Sequence, residues 1–205
     1  MANASTPPSR PGRPAVMPAA ERRRRIMLAA EQLFTASGYA AVSMADIAQR
    51  CEMSKKTLYE LFRSKEELLK ALIADAEAFP LSEAAPDDAD PAKALRSTLL
   101  AIARFVLSER HINISRLVIS ESGSAPEMAK HYYEQGMLRG KKMVVSRLKN
   151  LARRGSIAVD DIEATADMLF GASVGLFLLT SVSLRTRPNM RQVEKRIGTV
   201  VDRFL

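Results

Sequence analysis

Three helix-start signals, ten or eleven residues apart, constrain this chain more than any other feature: Ser43-Met44-Ala45-Asp46, then Ser54, then Ser64-Lys65-Glu66-Glu67. A serine in this place can accept a hydrogen bond from the backbone N–H three residues on, and an acid there can return one. Starts this close together leave room only for helices of about two turns. Met44, Ile47, Ala48 and Cys51 follow the first at the spacing of one helical face. After the connector Glu52-Met53, Ser54 caps a helix with Leu58, Leu61 and Phe62 on one face and Lys55, Lys56, Tyr59 and Arg63 on the other. The third start opens a longer helix with Leu68, Leu69, Leu72, Ile73, Ala76 and Phe79 on its buried side. Upstream, Ile26, Ala30, Leu33 and Phe34 share a face that ends at Gly38.

The remainder reads only as helix. Asp90 and Pro91 suit the cap and first position of a helix to about Arg110; a shorter one covers about 112–122, a long one 126–154, and two more 160–184 and 188–204. The chain has 205 residues, no Trp and 5% aromatics, and is dominated by residues that lose little freedom in helices. The expected fold class is therefore all-α with about nine helices. Residues 1–20 have no period and read as a disordered tail, with 21–79 one domain and 91–205 another, separated by the acidic, proline-bounded stretch 80–91. A single cysteine and an N-terminus without an apolar h-region point to the cytoplasm.

The formal charge is +8 and the pI about 9.9, which favours polyanionic partners. Local clusters carry the argument further. Arg22–Arg25 crowd the first turn of a helix, where cations oppose its dipole; they read as a nucleic-acid contact or as a solvated basic end. Arg10-Pro11-Gly12-Arg13-Pro14 reads as a minor-groove hook or as inert tail. Two short helices across a tight connector, the second with a basic outer face, make a helix-turn-helix. Its candidate contacts with double-stranded DNA are Ser43, Ser54, Lys55, Lys56, Thr57, Tyr59 and Lys65. Tyr59 and Lys65 are placed for phosphates, and Lys55, Lys56 and Thr57 for base edges.

From Arg25 to Leu69 the chain resembles the DNA-binding domain of the TetR family of bacterial regulators. The resemblance is carried by Leu33-Phe34, Gly38, Val42-Ser43-Met44, Ile47-Ala48, Ser54 to Phe62 and Ser64 to Leu68. The family usually has glycine where this chain has Glu52, and commonly glycine at Lys56. Glu52 should cost on the order of 1 kcal/mol if the turn is left-handed, and Lys56 should alter base preference. Arg116 to Ser122, with Pro126-Glu127-Met128 and Tyr132-Tyr133, is similar to the C-terminal domain of the AefR-like branch.

That resemblance implies a homodimeric transcriptional repressor, with no cofactor and no enzymatic activity, released from its operator by a small apolar effector. Phe105, Glu121, Met128, Tyr132, Tyr133, Met137, Met168 and Phe177 are the candidate ligand contacts, and Arg104 or Arg116 would serve an anionic group if turned inward. Met168 to Leu184 contains no charge. It is short for a membrane span and carries hydroxyls, so it reads as a buried helix, with Gly171, Ala172 and Gly175 allowing a twofold mate to approach. Cys51 reads as a buried core residue. His111 and His131 lack further ligands at metal spacing, and Ser120-Glu121-Ser122 lacks the elbow a hydrolase needs. The alternative reading is a helix-turn-helix regulator without a ligand, controlled by a protein partner or by abundance.

Overall fold

The computed structural model describes residues 17–76 and 90–205, apart from the side chains of Gln135 and Met137. Most of the tail, the stretch 80–89, Phe79 and the Met137 side chain therefore lie outside the described residues. Within them the chain is all helical: α1 Ala19–Ser37, α2 Met44–Arg50, α3 Lys55–Leu61, α4 Lys65–Ala76, α5 Pro91–Val106, α6 Glu109–Glu121, α7 Pro126–Tyr132, α8 Leu138–Arg153, α9 Ile162–Phe170, α10 Leu176–Leu184 and α11 Met190–Phe204. A π-helical turn, Tyr133–Met137, joins α7 to α8, and another, Gly171–Gly175, joins α9 to α10. Counted as continuous rods, these are the nine helices that the periodicity predicts.

The caps form as chemistry requires. Ser43 Oγ accepts from Asp46 N at 3.2 Å while the Asp46 carboxylate accepts from Ser43 N at 2.8 Å, which closes a capping box; the Ser43 hydroxyl, donating to the same carboxylate at 2.7 Å, and that backbone N–H hold Asp46 below the usual carboxylate range. Ser54 Oγ accepts from Thr57 N at 3.1 Å and lies 2.9 Å from Thr57 Oγ1. At α4 the box is shifted: Ser64 Oγ accepts from Glu67 N, but the Glu67 carboxylate reaches back to Arg63 N at 2.7 Å. One boundary differs from expectation. The helix expected to run from Pro91 to about Arg110 stops at Val106, because Ser108 caps α6 by accepting from His111 N at 3.3 Å.

Glu52 does occupy the left-handed region, at φ 56°. Its N–H donates to Gln49 O and the next N–H, on Met53, to Ala48 O at 2.9 Å, so the strained turn is held by the end of α2. Glu52→Gly removes the Cβ penalty without removing a hydrogen bond. We expect it to raise stability by about 1 kcal/mol, read as a higher denaturant midpoint with an unchanged slope.

Two apolar cores result. Ile26, Phe34, Ile47, Leu58, Phe62, Leu68 and Leu72 from α1 to α4 form the first, and α6 and α7 add Ile114, Leu117, Val118, Met128 and Tyr132 to it. Leu95, Leu99 and Ile102 of α5 meet Val144 and Leu148 of α8, Leu169 and Val174 of the α9 rod, and Val193, Ile197 and Val201 of α11 in the second. α6 and α7 thus pack on the reading head although they follow the interdomain stretch in sequence.

Candidate functional site

α2 and α3 sit against α1 as a helix-turn-helix, and α3 buries Leu58 while Lys55, Lys56, Tyr59 and Glu60 face outward. Ala40 to Ala45, Lys55, Tyr59 and Lys65 border a shallow groove of about 440 Å³ at its edge. Tyr59 is half exposed, with its hydroxyl free to reach a backbone phosphate. Ser43 and Ser54 spend their hydroxyls on caps. Lys65 requires a correction: its ammonium is turned inward, donating to Tyr39 O and Val42 O at 2.9 Å each, and lies 4.2 Å from the centre of the Tyr39 ring. Carbonyls of the α1–α2 loop outcompete solvent for it, so at this position a phosphate would meet the first-turn backbone N–H groups. The arginine run stays on the surface but is partly engaged within the chain. Arg24 and Arg25 pair with Glu21, and the Arg23 guanidinium lies 4.3 Å from the centre of the Phe62 ring.

A second site lies between α6, the α7–α8 rod and α10. It is a cavity of about 370 Å³ walled mainly by apolar side chains, among them Val106, Val118, Ile119, Phe170, Leu178 and Val182, and among the described residues no Asp, Glu, Lys or Arg lines it. Both π-helical turns contribute to its wall, the first with Tyr133 and Gly136 and the second with Gly175. Its polar groups are linked. Ser115 Oγ donates to His111 O at 2.8 Å, which leaves Tyr132 Oη to donate to Ser115 Oγ at 2.6 Å and to accept from His111 Nε2 at 3.0 Å. Burial pushes the His111 imidazole down to about 4, with the Ala76 backbone pulling the other way.

His111 therefore makes stability depend on pH. An unfolded histidine protonates near 6.5, the folded one only near 4, so its contribution is intact above pH 6.5 and lost as pH falls toward 4. We expect about 3 kcal/mol to disappear across that window. His111→Gln should flatten the fall in unfolding free energy between pH 7 and 4.5.

Of the ligand candidates, Tyr132 and Tyr133 line this cavity. Phe105 stands behind His111, ring centres 5.1 Å apart. Met128 is buried in the first core, Phe177 packs on the second, and Met168 points outward. Glu121 accepts from Ser124 Oγ at the end of α6. Neither arginine turns inward: Arg116 donates to the Ser181 and Val182 carbonyls of α10, and Arg104 pairs with Glu194 on α11. His111, Ser115 and Gly136, which sequence reasoning passed over, are brought to the cavity by the π-helical turns and by α6. Among the described residues no group of three His, Cys, Asp or Glu could hold a metal.

α6 connects the two sites. Arg110, next to His111, donates to Glu31 of α1 at 3.0 and 3.1 Å and to Asp75 of α4 at 2.7 Å. One residue of α6 thus grips both long helices of the reading head while its neighbour lines the cavity.

Comparison with known proteins agrees with this division. Residues 26–72 match bacterial regulatory proteins of the tetR family, and residues 93–205 match the C-terminal domain of AefR-like transcriptional repressors. The HTH-type transcriptional regulator TtgR of Pseudomonas putida is 27% identical over 197 residues, covering 90% of this chain and 91% of that protein. Among solved structures, the flavonoid-responsive regulator FrrA is 26% identical with a TM-score of 0.72, covering 91% of this chain and 96% of that one. A TetR family transcriptional regulator from Pseudomonas syringae superposes with a TM-score of 0.74 over 90% of this chain and 95% of its own, at 20% identity, a likeness of fold.

Proposed function

The chain belongs to the TetR family of bacterial regulatory proteins, DNA-binding transcriptional regulators of the helix-turn-helix type, and from that premise we propose that it is a cytoplasmic, homodimeric repressor released from its operator by a small, mainly apolar effector. Residues 21–79 form the reading head, with the tail 1–20 before it, and residues 91–205 hold effector and dimer. The observation that carries the reading is the apolar cavity and its shared helix: α6 lines it and also grips α1 and α4 through Arg110. An effector that prefers one position of α6 would thereby favour one placement of α3, and only such a difference in affinity makes a ligand an inducer. α4 is the element through which the change reaches the head.

The absence of Asp, Glu, Lys or Arg among the described lining residues favours an uncharged effector, and the Tyr132–Ser115 pair offers it one hydrogen-bonding end. A hydroxylated aromatic molecule fits both conditions, and the flavonoid response of FrrA accords with it. The cavity weighs against control by abundance or a protein partner alone.

Selection of bound sites from random DNA, followed by release assays across neutral aromatic compounds, tests the reading. On the selected operator Lys55→Ala should cost about 1–3 kcal/mol of binding and relax the preference at the base it reads, as the loss of one base-edge contact requires. Lys65→Ala should leave the salt slope unchanged and lower stability instead. Reselection with Lys56→Gly should return a different preferred site; an unchanged site removes Lys56 from base reading. If no compound both raises the unfolding temperature and releases DNA, the ligand-free alternative replaces this one.

A further inference from the structure

The chain's excess of positive charge does not sit on the reading head. Among the described residues, 17–76 hold ten basic and eight acidic side chains, whereas 90–205 hold nineteen and eleven. Most of the second excess is gathered on one helix: residues 138–154 carry seven cations and no acid. α8 buries Val144, Val145, Leu148 and Leu151 in the second core. At 3.6 residues per turn the opposite face presents Arg139, Lys142, Ser146, Lys149 and Arg153, all exposed. The other cations of α8 have partners: Lys141 is held by Glu163 and Asp167 of α9, and Arg147 donates to Thr98 of α5. Arg139, Lys142, Lys149 and Arg153 pair with no acid among the described residues. From Arg139 to Arg153 the row runs roughly 21 Å.

We propose that this face of α8 is a second DNA contact, which grips the phosphate backbone of a duplex other than the one in the reading head, without regard to sequence. The proposal rests on the DNA-binding role of the family and not on the effector reading. Duplex DNA carries a negative charge per about 1.7 Å of its axis, so the row faces on the order of a dozen phosphates, and each neutralised contact releases counterions. Other partners suit the surface less well. None of the exposed large apolar side chains lies on α8, whereas the core of a protein interface is depleted of lysine and rich in aromatics, and a helix lying in a membrane surface needs an apolar face to insert. A second copy of the row is opposed as well, since four cations would face four. α8 packs on α5 and α9, whereas α3 packs on α2 in the other core. An operator in the head therefore leaves the row to another stretch of DNA, and the regulator can hold its operator while engaging a neighbouring segment.

The test saturates the full chain with its selected operator and then titrates it with a labelled non-operator duplex, read by fluorescence anisotropy at several salt concentrations. The operator-saturated protein should bind this second duplex. Combining Arg139→Gln, Lys142→Gln, Lys149→Gln and Arg153→Gln should weaken that binding roughly tenfold or more and lower its salt slope by about three to four, as the loss of four phosphate contacts requires. The slope for the operator itself should stay as it is. Glutamine is a good helix former, so the unfolding temperature should hold; Lys142→Glu with Lys149→Glu, a change at two exposed positions only, should abolish second-duplex binding and checks the result independently. Four outcomes overturn the proposal. Operator-saturated wild type binds no further DNA, or the variants bind it as wild type does, so that the contact lies elsewhere. The operator slope falls as far as the other, which places the row on the operator's own flank. Polyglutamate displaces the duplex at equal charge concentration, which makes the partner an acidic polypeptide. Binding appears only once Glu83, Asp87 and Asp88 are neutralised, which makes the chain's own acidic stretch the occupant. Each leaves operator selection and effector release to stand or fall by their own assays.

Discussion

Phe62→Ala is expected to lower the unfolding free energy by about 3–5 kcal/mol, the range for deleting a fully buried aromatic ring from a packed core. Phe62 is completely buried, its N–H donates to Leu58 O at 2.9 Å to end α3, and its ring packs in the first core under the Arg23 guanidinium. Removing it takes away core volume and the platform on which Arg23 rests, in a unit whose helices are too short to stand alone. Since whole domains are stable by only about 5–15 kcal/mol, operator binding should be lost at moderate temperature before any surface contact is touched. Denaturant unfolding of wild type and variant, with operator titrations at 10 and 37 °C, measures both effects. A loss below about 1 kcal/mol would show that the neighbouring side chains collapse into the space.

Gly175→Arg should leave each subunit folded and prevent pairing. A Cβ at Gly175 meets no other side chain of its own subunit, and arginine is the better helix former, so the cost falls on the partner and on the cavity that Gly175 also borders rather than on the subunit's own packing. Two half-sites bound by one dimer gain from effective concentration. A monomer forfeits that gain, and operator affinity should drop by roughly 10²–10⁴. Sedimentation should report a monomer with an unchanged unfolding temperature, and operator titration the lost affinity. A variant that remains dimeric at micromolar concentration would move the interface elsewhere.

The sequence by itself determined the reading head: which residues cap, which face inward and where the chain turns. Each of these is settled within a few residues of chain, as at Ser43 and Asp46, which close their box locally, and at Glu52, whose left-handed turn lies between two caps. The five rods of the all-helical remainder were legible from period and caps as well, apart from the break at Ser108. Only the tertiary structure decided what reaches across elements. Lys65 looked like any basic residue at a helix start until the Tyr39 and Val42 carbonyls, more than twenty residues away, took its ammonium. Arg116 likewise looked free for an anion until α10 offered the carbonyls of Ser181 and Val182. The cavity was hidden for a related reason. A π-helical turn inserts an extra residue into the helix and rotates every face beyond it, so a stripe read at 3.6 residues per turn is out of register past Tyr133 and again past Gly171. Local hydrogen bonds follow from nearest neighbours in the chain, whereas partners distant in sequence and an altered helical register exist only once the helices have packed.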